Sequence, residues 1–344
     1  MHHPSAVGSL STATFVKQPQ IGQHIPPKSS DTQTEPSDES AFTLLIDPWL
    51  VGECSYLHPS FQKSQHTLKP AIASLADLKD DVDLILISQD KPDHCHRQTL
   101  CSLPRDKHVK ILATAAAAKK IKSWQHFDSE DVTALPAFAV KQMDSTLHRL
   151  SVPSSDPADA HGEITIAHMP TSFDLTGLHN ALGITYRPPG CRVSATGAKD
   201  DAVWHCPVHT ISLLYTPHGV SSACVQPWLA HVLQRTGRHP PLTALFHSLT
   251  EETNVQFLGG KVIAGASGGL ELMRKVEARY WISAHDEEKE NSGFSVKWLT
   301  TKRHSAAEVD VKLRAGGLAG KVLALGNGGC TILEGGHEPH SSTA

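Results

Sequence analysis

No uninterrupted apolar run in the 344 residues approaches the roughly 20 that a membrane helix needs, so no transmembrane segment is expected. An excess of basic charge is also missing. Lys and Arg number 31 against 35 Asp and Glu, for a formal net charge of −4. Without a basic field, neither nucleic acid nor an anionic membrane is an expected partner. The first twenty residues, MHHPSAVGSLSTATFVKQPQ, hold no charged segment followed by an apolar one, and no transit-peptide arginines. No targeting signal is read there. Cysteines are few and unpatterned. The seven (Cys54, Cys95, Cys101, Cys191, Cys206, Cys224 and Cys330) are odd in number and form no CxxC. A reduced, cytoplasmic chain is the expectation.

Apolar residues make up 39% of the chain and charged residues 19%, as in ordinary soluble domains. Residues 21–40 are polar and rich in Pro and Ser and read as a long exposed loop. Residues 151–162 and 187–203 read as loop insertions by the same logic, and 335–344 as a disordered tail. The 23 histidines are many, but most histidines sit on surfaces and loops, so their number alone is weak evidence for metal.

Nine short apolar runs of strand length lie between the loops: FTLLI (42–46), DLILI (83–87), VKILA (109–113), ITIAH (164–168), GITY (183–186), TISLLY (210–215), LTALF (242–246), RYWIS (279–283) and KVLAL (321–325). They read as buried strands. Helical patterns at 114–124, 224–237 and 269–279 alternate with them, the last with Leu270, Met273 and Val276 on one stripe. This mixture predicts an α/β layered domain. Trp49, Tyr56, Phe61 and Trp228 are candidates to line an apolar pocket, although aromatic residues near strand ends more often pack in a core.

Several of the runs end on a polar side chain. FTLLI runs into Asp47, DLILIS into Gln89 and Asp90, TISLLYTP into His218, LTALF into His247, and RYWISA into His285 and Asp286. Any one such residue is more often a hydrogen-bonded loop residue than a ligand. Strand ends gathered on one edge would build one site.

Five of these segments, in order, resemble the motifs of the metallo-β-lactamase superfamily. LLIDPWL (44–50) is similar to the first motif, an Asp closing a strand, and LISQDKPDH (86–94) to S-H-x-H-x-D-H. HNALGITY (179–186) resembles the turn and strand before the fourth motif. LLYTPHG (213–219) falls where a bridging Asp closes a strand, and WISAHDEE (281–288) at the last metal-binding His. The resemblance spans about residues 8–330 and implies a single domain over 1–344 with the four-layer αβ/βα sandwich of that superfamily. It is nearest to a divergent branch of fungal and plant type. That branch is distantly like the ascorbate-phosphate lactonase and N-acylphosphatidylethanolamine phospholipase D groups.

The departures are one-sided. The H-x-H positions hold Gln89 and Lys91, and no His stands at Thr171 or Ser172, His168 being the nearest. The ligands of the second metal remain as Asp93, His94 and His285, with His218 in place of the bridging carboxylate. The resemblance therefore implies one divalent metal, zinc by its N3O donor set, on Asp93, His94, His218 and His285. Lys91 would set a fixed positive charge near the vacated position, and Asp47 and Gln89 would orient ligands without binding. His96, His247 and Asp286 are lesser candidates, His96 being expected on the helix after the motif. The implied activity is hydrolysis of a small ester, lactone or phosphodiester. The alternatives are a metal-poor pseudoenzyme or binding protein on the same fold, or a lyase or isomerase using Lys91 and His218 as acid and base.

Overall fold

The computed structural model describes residues 4–10, 13–18, 42–78, 82–154, 156–174, 176–189, 210–233 and 242–334. The loop expected at 21–40, most of that at 187–203, and the tail lie outside the described residues. The strands of the first half are β1 (Pro4–Leu10), β2 (Ala13–Gln18), β3 (Phe42–Ile46), β4 (Glu53–Tyr56), β5 (Gln62–His66), β6 (Leu84–Ile87), β7 (Lys110–Thr114), β8 (Val132–Leu135), β9 (Leu147–Val152) and β10 (Gly162–Pro170). Those of the second are β11 (Asn180–Arg187), β12 (Ile211–Tyr215), β13 (Ala244–His247), β14 (Glu251–Thr253), β15 (Lys261–Ile263), β16 (Tyr280–Ser283), β17 (Lys289–Ser292), β18 (Thr300–Lys302), β19 (Lys321–Leu323) and β20 (Cys330–Glu334). Six α-helices are described: α1 (Arg97–Leu100), α2 (Ala115–Ser123), α3 (Met143–Thr146), α4 (Ser222–Trp228), α5 (Gly265–Val276) and α6 (Ala306–Ala315).

One seven-stranded sheet runs β20-β1-β2-β3-β6-β7-β8 and the other β19-β16-β13-β12-β11-β10-β9. Their side chains explain why the runs are apolar throughout and do not alternate. Leu44, Ile46, Leu84 and Leu86 of the first sheet pack with Ile164, Leu182, Leu213, Phe246 and Ile282 of the second. The intervening Leu45, Ile85 and Ile87 point the other way, onto Ala117, Ala118 and Ile121 of α2. In the second sheet Leu214, Leu245 and Trp281 likewise face outward, onto α4, α5 and α6 through Trp228, Leu272, Met273, Val309 and Leu313. Since successive strand residues face opposite sides, a strand buried on both faces must be apolar at every position. The result is four layers, helix, sheet, sheet and helix. Among the described residues no helix is long and apolar enough to cross a membrane.

All nine predicted runs lie on strands of these two sheets. The loop expected at 151–162 joins the antiparallel pair β9 and β10, with only its ends, up to Val152 and from Gly162, lying on the strands. The two three-stranded sheets, β15-β14-β18 and β17-β5-β4, escaped the sequence reading. Their strands (QKSQH and KENS, for example) are short, polar and half exposed, so no hydrophobic period marks them.

Backbone pairing fixes where the polar strand ends fall. β3, β6 and β7 run parallel to one another, as do β12, β13 and β16. Their C-terminal ends carry Asp47, Ser88–His94, His218, His247 and His285. Helix α4 packs onto β11 at Gly183 and Trp228 only because residue 183 has no side chain. A Cβ there would lie 2.4–2.7 Å from three atoms of the fully buried Trp228 indole. Gly183→Ala is therefore expected to overpack the second sheet and to lower unfolding stability by about 1–3 kcal/mol, measured by urea titration.

Candidate metal centre

Asp47 follows β3 with a left-handed backbone, φ 46°, and is buried. Its carboxylate accepts from the Ser88 amide at 2.7 Å and from the Ser88 hydroxyl, which locks the turn after β6. It also stands 2.8 Å from His94 Nδ1. The turn closes further when the His94 and Cys95 amides donate to the Lys91 carbonyl. Asp93 and His94 are thereby held side by side beneath the surface. His285 stands after β16 with φ 68°, again in the left-handed region that few non-glycine residues adopt. Both strained residues sit at the same edge, which is where backbone strain is commonly spent on function.

Asp93, His94, His218 and His285 come together from three separate strand ends. Their ligand-type atoms all lie within 4.8 Å of one another. His94 Nε2 is 3.0 Å from His218 Nε2 and 3.7 Å from Asp93 Oδ2. His285 Nε2 is 3.5 Å from Asp93 Oδ2. Donors on a tetrahedral zinc at about 2.0–2.2 Å are separated from each other by about 3.3–3.5 Å, and the cluster has nearly that size.

Proton placement tests the fit. His94 Nδ1 faces the Asp47 carboxylate, and His218 Nδ1 faces the Val262 carbonyl at 3.1 Å. Both partners are acceptors, so both Nδ1 atoms carry hydrogen and both Nε2 atoms point inward. Two inward lone pairs 3.0 Å apart require either a shared proton or a cation between them. Asp93 Oδ1 is buried with no hydrogen-bond partner among the described residues. The set fits a divalent cation.

The electrostatics divide the four groups. Burial favours the neutral form of Asp93, but His94, Lys289 and His218 beside it and a hydrogen bond from Tyr56 outweigh burial and pull its carboxyl down to about 2. Burial also works against charge on His94, yet Asp93 and Asp47 outweigh it and raise its pKa. His218 is pushed down to about 3 by burial and by the neighbouring His94. His285 is pushed well below the usual range by burial and by Lys289. The metal-free site thus keeps its proton on His94 while His218 and His285 stay neutral, as ligands must be.

The other sequence candidates fall elsewhere. Lys91 lines the cavity beside the cluster and pairs with Asp90 at 3.3 Å. Gln89 is buried, and neither atom of its amide finds a partner among the described residues, so no contact with a ligand is seen. His96 opens the helix after the motif as the N-cap of α1, hydrogen-bonded to Thr99 and outside the cluster. His168 lies within β10, its pKa lowered to about 4 by burial, and is not part of the cluster. His247 turns its Nδ1 to the Ser248 carbonyl. Asp286 accepts from Ser248, Leu249, Thr250 and Ser283 and anchors the loop that carries His285. Of the four aromatic candidates Tyr56 and Phe61 line the cavity, whereas Trp49 and Trp228 are fully buried.

Lys289 was not among the candidates. It starts β17, lies 2.7 Å from Glu287 and 3.4 Å from both ring nitrogens of His285, and sits over the Trp49 ring. Burial would discharge it, but Glu287, Asp93 and Glu252 outweigh burial and raise its pKa. The spacing His285-x-x-x-Lys289 on an irregular segment carries no signal of its own.

The site opens into a cavity of about 660 Å³ lined by Asp93, His218 and His285 together with walls from the two small sheets. No family model and no curated protein matches the chain. Among solved structures the chain is similar to isothiocyanate hydrolase from Delia radicum gut bacteria, with 13% identity over 96% of this chain and 99% of that one, TM-score 0.52. It is similar also to CmlA, a diiron β-hydroxylase from Streptomyces venezuelae, with 11% identity over 97% of this chain and 54% of that one, TM-score 0.51. At such identities the likeness shows the fold alone, and that fold is the four-layer metallo-β-lactamase sandwich.

Acid should destabilise the metal-free protein early. His218, His285, His168 and His96 have folded pKa values below the ordinary 6.5. As pH falls through 6.5 the unfolded chain takes up protons at these positions and the folded chain does not, so stability is lost on acidification. His94 and His108, shifted upward, oppose this. Urea unfolding in EDTA should show stability falling between about pH 6.5 and 4.5, each depressed histidine adding at most about 1.4 kcal/mol per pH unit. A flat profile over that range would contradict the neutral assignments.

Proposed function

We propose that this chain is a metallo-β-lactamase-like hydrolase that uses one divalent ion, zinc, on Asp93, His94, His218 and His285. The observation that carries the reading is the 3.0 Å approach of the His94 and His218 Nε2 atoms, with their opposite nitrogens both committed to acceptors. A single ion accords with Gln89 and Lys91 at the positions where the resemblance places the other metal's histidines. Lys91 brings a fixed positive charge to that side of the cavity.

A divalent ion held there would supply a Lewis acid and lower the pKa of a bound water towards neutrality. The chain's own groups then have distinct tasks. Asp47 fixes the His94 ring and raises its basicity. Val262 does the same for His218. With His218 held by the ion and by Val262, Lys91, which lines the cavity, is the group placed to exchange a proton with a ligand. The substrate class is a small ester, lactone or phosphodiester, as the resemblance implies. The cytoplasmic location and the branch of fungal and plant type belong to this same reading.

A second reading has its own support. Four protein donors would complete a tetrahedron, and a closed shell suits a structural ion in a binding protein. Turnover by the parent protein separates the two. In the proposed hydrolase, purified protein should contain about one zinc per chain, and His218→Ala should weaken zinc binding by about 10–100-fold and abolish turnover on a panel of esters, lactones and phosphodiesters. About two metals per chain would contradict the single site. One zinc with no turnover of any panel member in the parent protein would favour the binding protein. The double variant Gln89→His, Lys91→His is expected to raise metal content towards two per chain, read by elemental analysis.

A further inference from the structure

We propose that the cavity takes an amphipathic monoanion, and that Lys289 anchors its anionic group while the apolar body lies along the wall formed by Leu57, Phe61, Phe257 and Leu258. This rests on the metal-site reading above and names the ligand chemistry of that same cavity.

The donor count of Lys289 makes the first argument. An ammonium has three N–H donors. Glu287 takes one, at 2.7 Å. Among the described residues the other groups within reach are the Trp49 ring, 5.6 Å to its centroid, and the two ring nitrogens of His285, each at 3.4 Å. Once His285 binds a metal through one nitrogen, its other nitrogen carries the proton, and neither can accept. A lysine whose side chain is only 14% exposed and which lines the cavity is then left with more donors than oxygen or nitrogen acceptors. A buried donor left unmade costs free energy that a ligand oxygen recovers.

The other cations of the cavity compete less, Lys91 because its side chain is 26% exposed and meets water besides its partner. Lys91 pairs with the Asp90 carboxylate, Lys120 donates to the Asp90 carbonyl at 2.6 Å, and Arg303 pairs with Glu288. Arg303 is well exposed, and water supplies what its partner does not. The anion's place is therefore the metal end, beside His285.

The second argument is the wall. Leu57 is 93% exposed and Phe257 78% exposed, both at the cavity, with Phe61 and Leu258 between solvent and the interior. Leu57 is held at φ 61°, a conformation that costs a branched side chain energy and that presents it outward. Two large apolar side chains held open at the mouth of a cavity whose far end is charged describe a ligand with the same division.

Titration calorimetry with sodium hexanoate, on the full chain both zinc-loaded and in EDTA, tests this. Hexanoate should bind. Lys289→Met should weaken it at least 10-fold, and Glu287→Gln, which frees the ammonium of its partner, should tighten it. Hexan-1-ol and acetate, which carry only one half of the ligand each, should bind at least 10-fold more weakly than hexanoate. Equal hexanoate affinity in the parent protein and Lys289→Met, or hexanol binding as well as hexanoate, would overturn the proposal. If Lys289→Met does not fold, the sign of the Glu287→Gln effect decides: unchanged or weaker binding counts against it. Zinc content measured on the same samples keeps the two readings apart, since hexanoate bound with no zinc uptake would refute the metal site and leave Lys289 standing.

Discussion

The Asp47 carboxylate is the contact on which the rest of the site depends. It follows β3, yet it holds the turn after β6 through Ser88 and the first imidazole of the cluster through His94. Removing it would release the β6 turn and leave the His94 Nδ1 proton without an acceptor. The left-handed backbone at Asp47 makes sense in this light. An extended residue there would carry the carboxylate away from Ser88. The energy of the strained φ is recovered by three hydrogen bonds to one buried group, each charge-assisted.

A similar economy governs the other side. His285 takes its left-handed turn immediately before Asp286, and Asp286 collects two backbone amides and two hydroxyls from Ser248, Leu249, Thr250 and Ser283. Asp47 and Asp286 thus perform parallel tasks at the ends of the two sheets. Each is an acceptor that gathers donors from a neighbouring strand end, and each sets the direction of a histidine. The rigid sheets bring the strand ends to one edge, and these two carboxylates convert that closeness into an aimed geometry.

The large sheets were legible in the sequence for a definite physical reason. Strands such as LLI, LILI and ISLLY are buried on both faces, so every position had to be apolar, and the runs stand out against polar surroundings. The strands of the small sheets had no such requirement. KENS and QKSQH are held by ladder hydrogen bonds and by the Ser64–Asn291 contact, none of which leaves a pattern in composition. The four clustered groups were legible because their strand-end positions matched an ordered set of motifs. Lys289 was not, since its place beside His285 depends on how the segment after β16 folds back to pair with β5. His96 and His247 show the limit from the opposite side. Both have the residue type and the strand-end or loop setting of a ligand, yet His96 turns both nitrogens to local partners and His247 turns its Nδ1 to the Ser248 carbonyl. Sequence placed them at the edge, but rotamer and neighbour decided what they do.

Charge balance adds a constraint that no motif expresses. Asp47 and Asp93, both buried, contact the cluster directly, and Lys289 and Glu287 beside them cancel as a pair. With His218 and His285 neutral, the metal-free site carries two negative charges and at most one compensating proton on His94. Uncompensated charge in a buried setting is expensive, and one divalent ion replacing that proton brings the total to zero. A second divalent ion would leave the site with two uncompensated positive charges, next to Lys91 and with no further carboxylate among its direct contacts. At the position where the resemblance places a bridging carboxylate stands His218, which brings no charge. An imidazole at 218 and a lysine at 91 act in the same direction on the proposed centre. Each leaves less negative potential on the side where a second ion would lie, so in the single-ion reading the fixed charges count as much as the number of ligands.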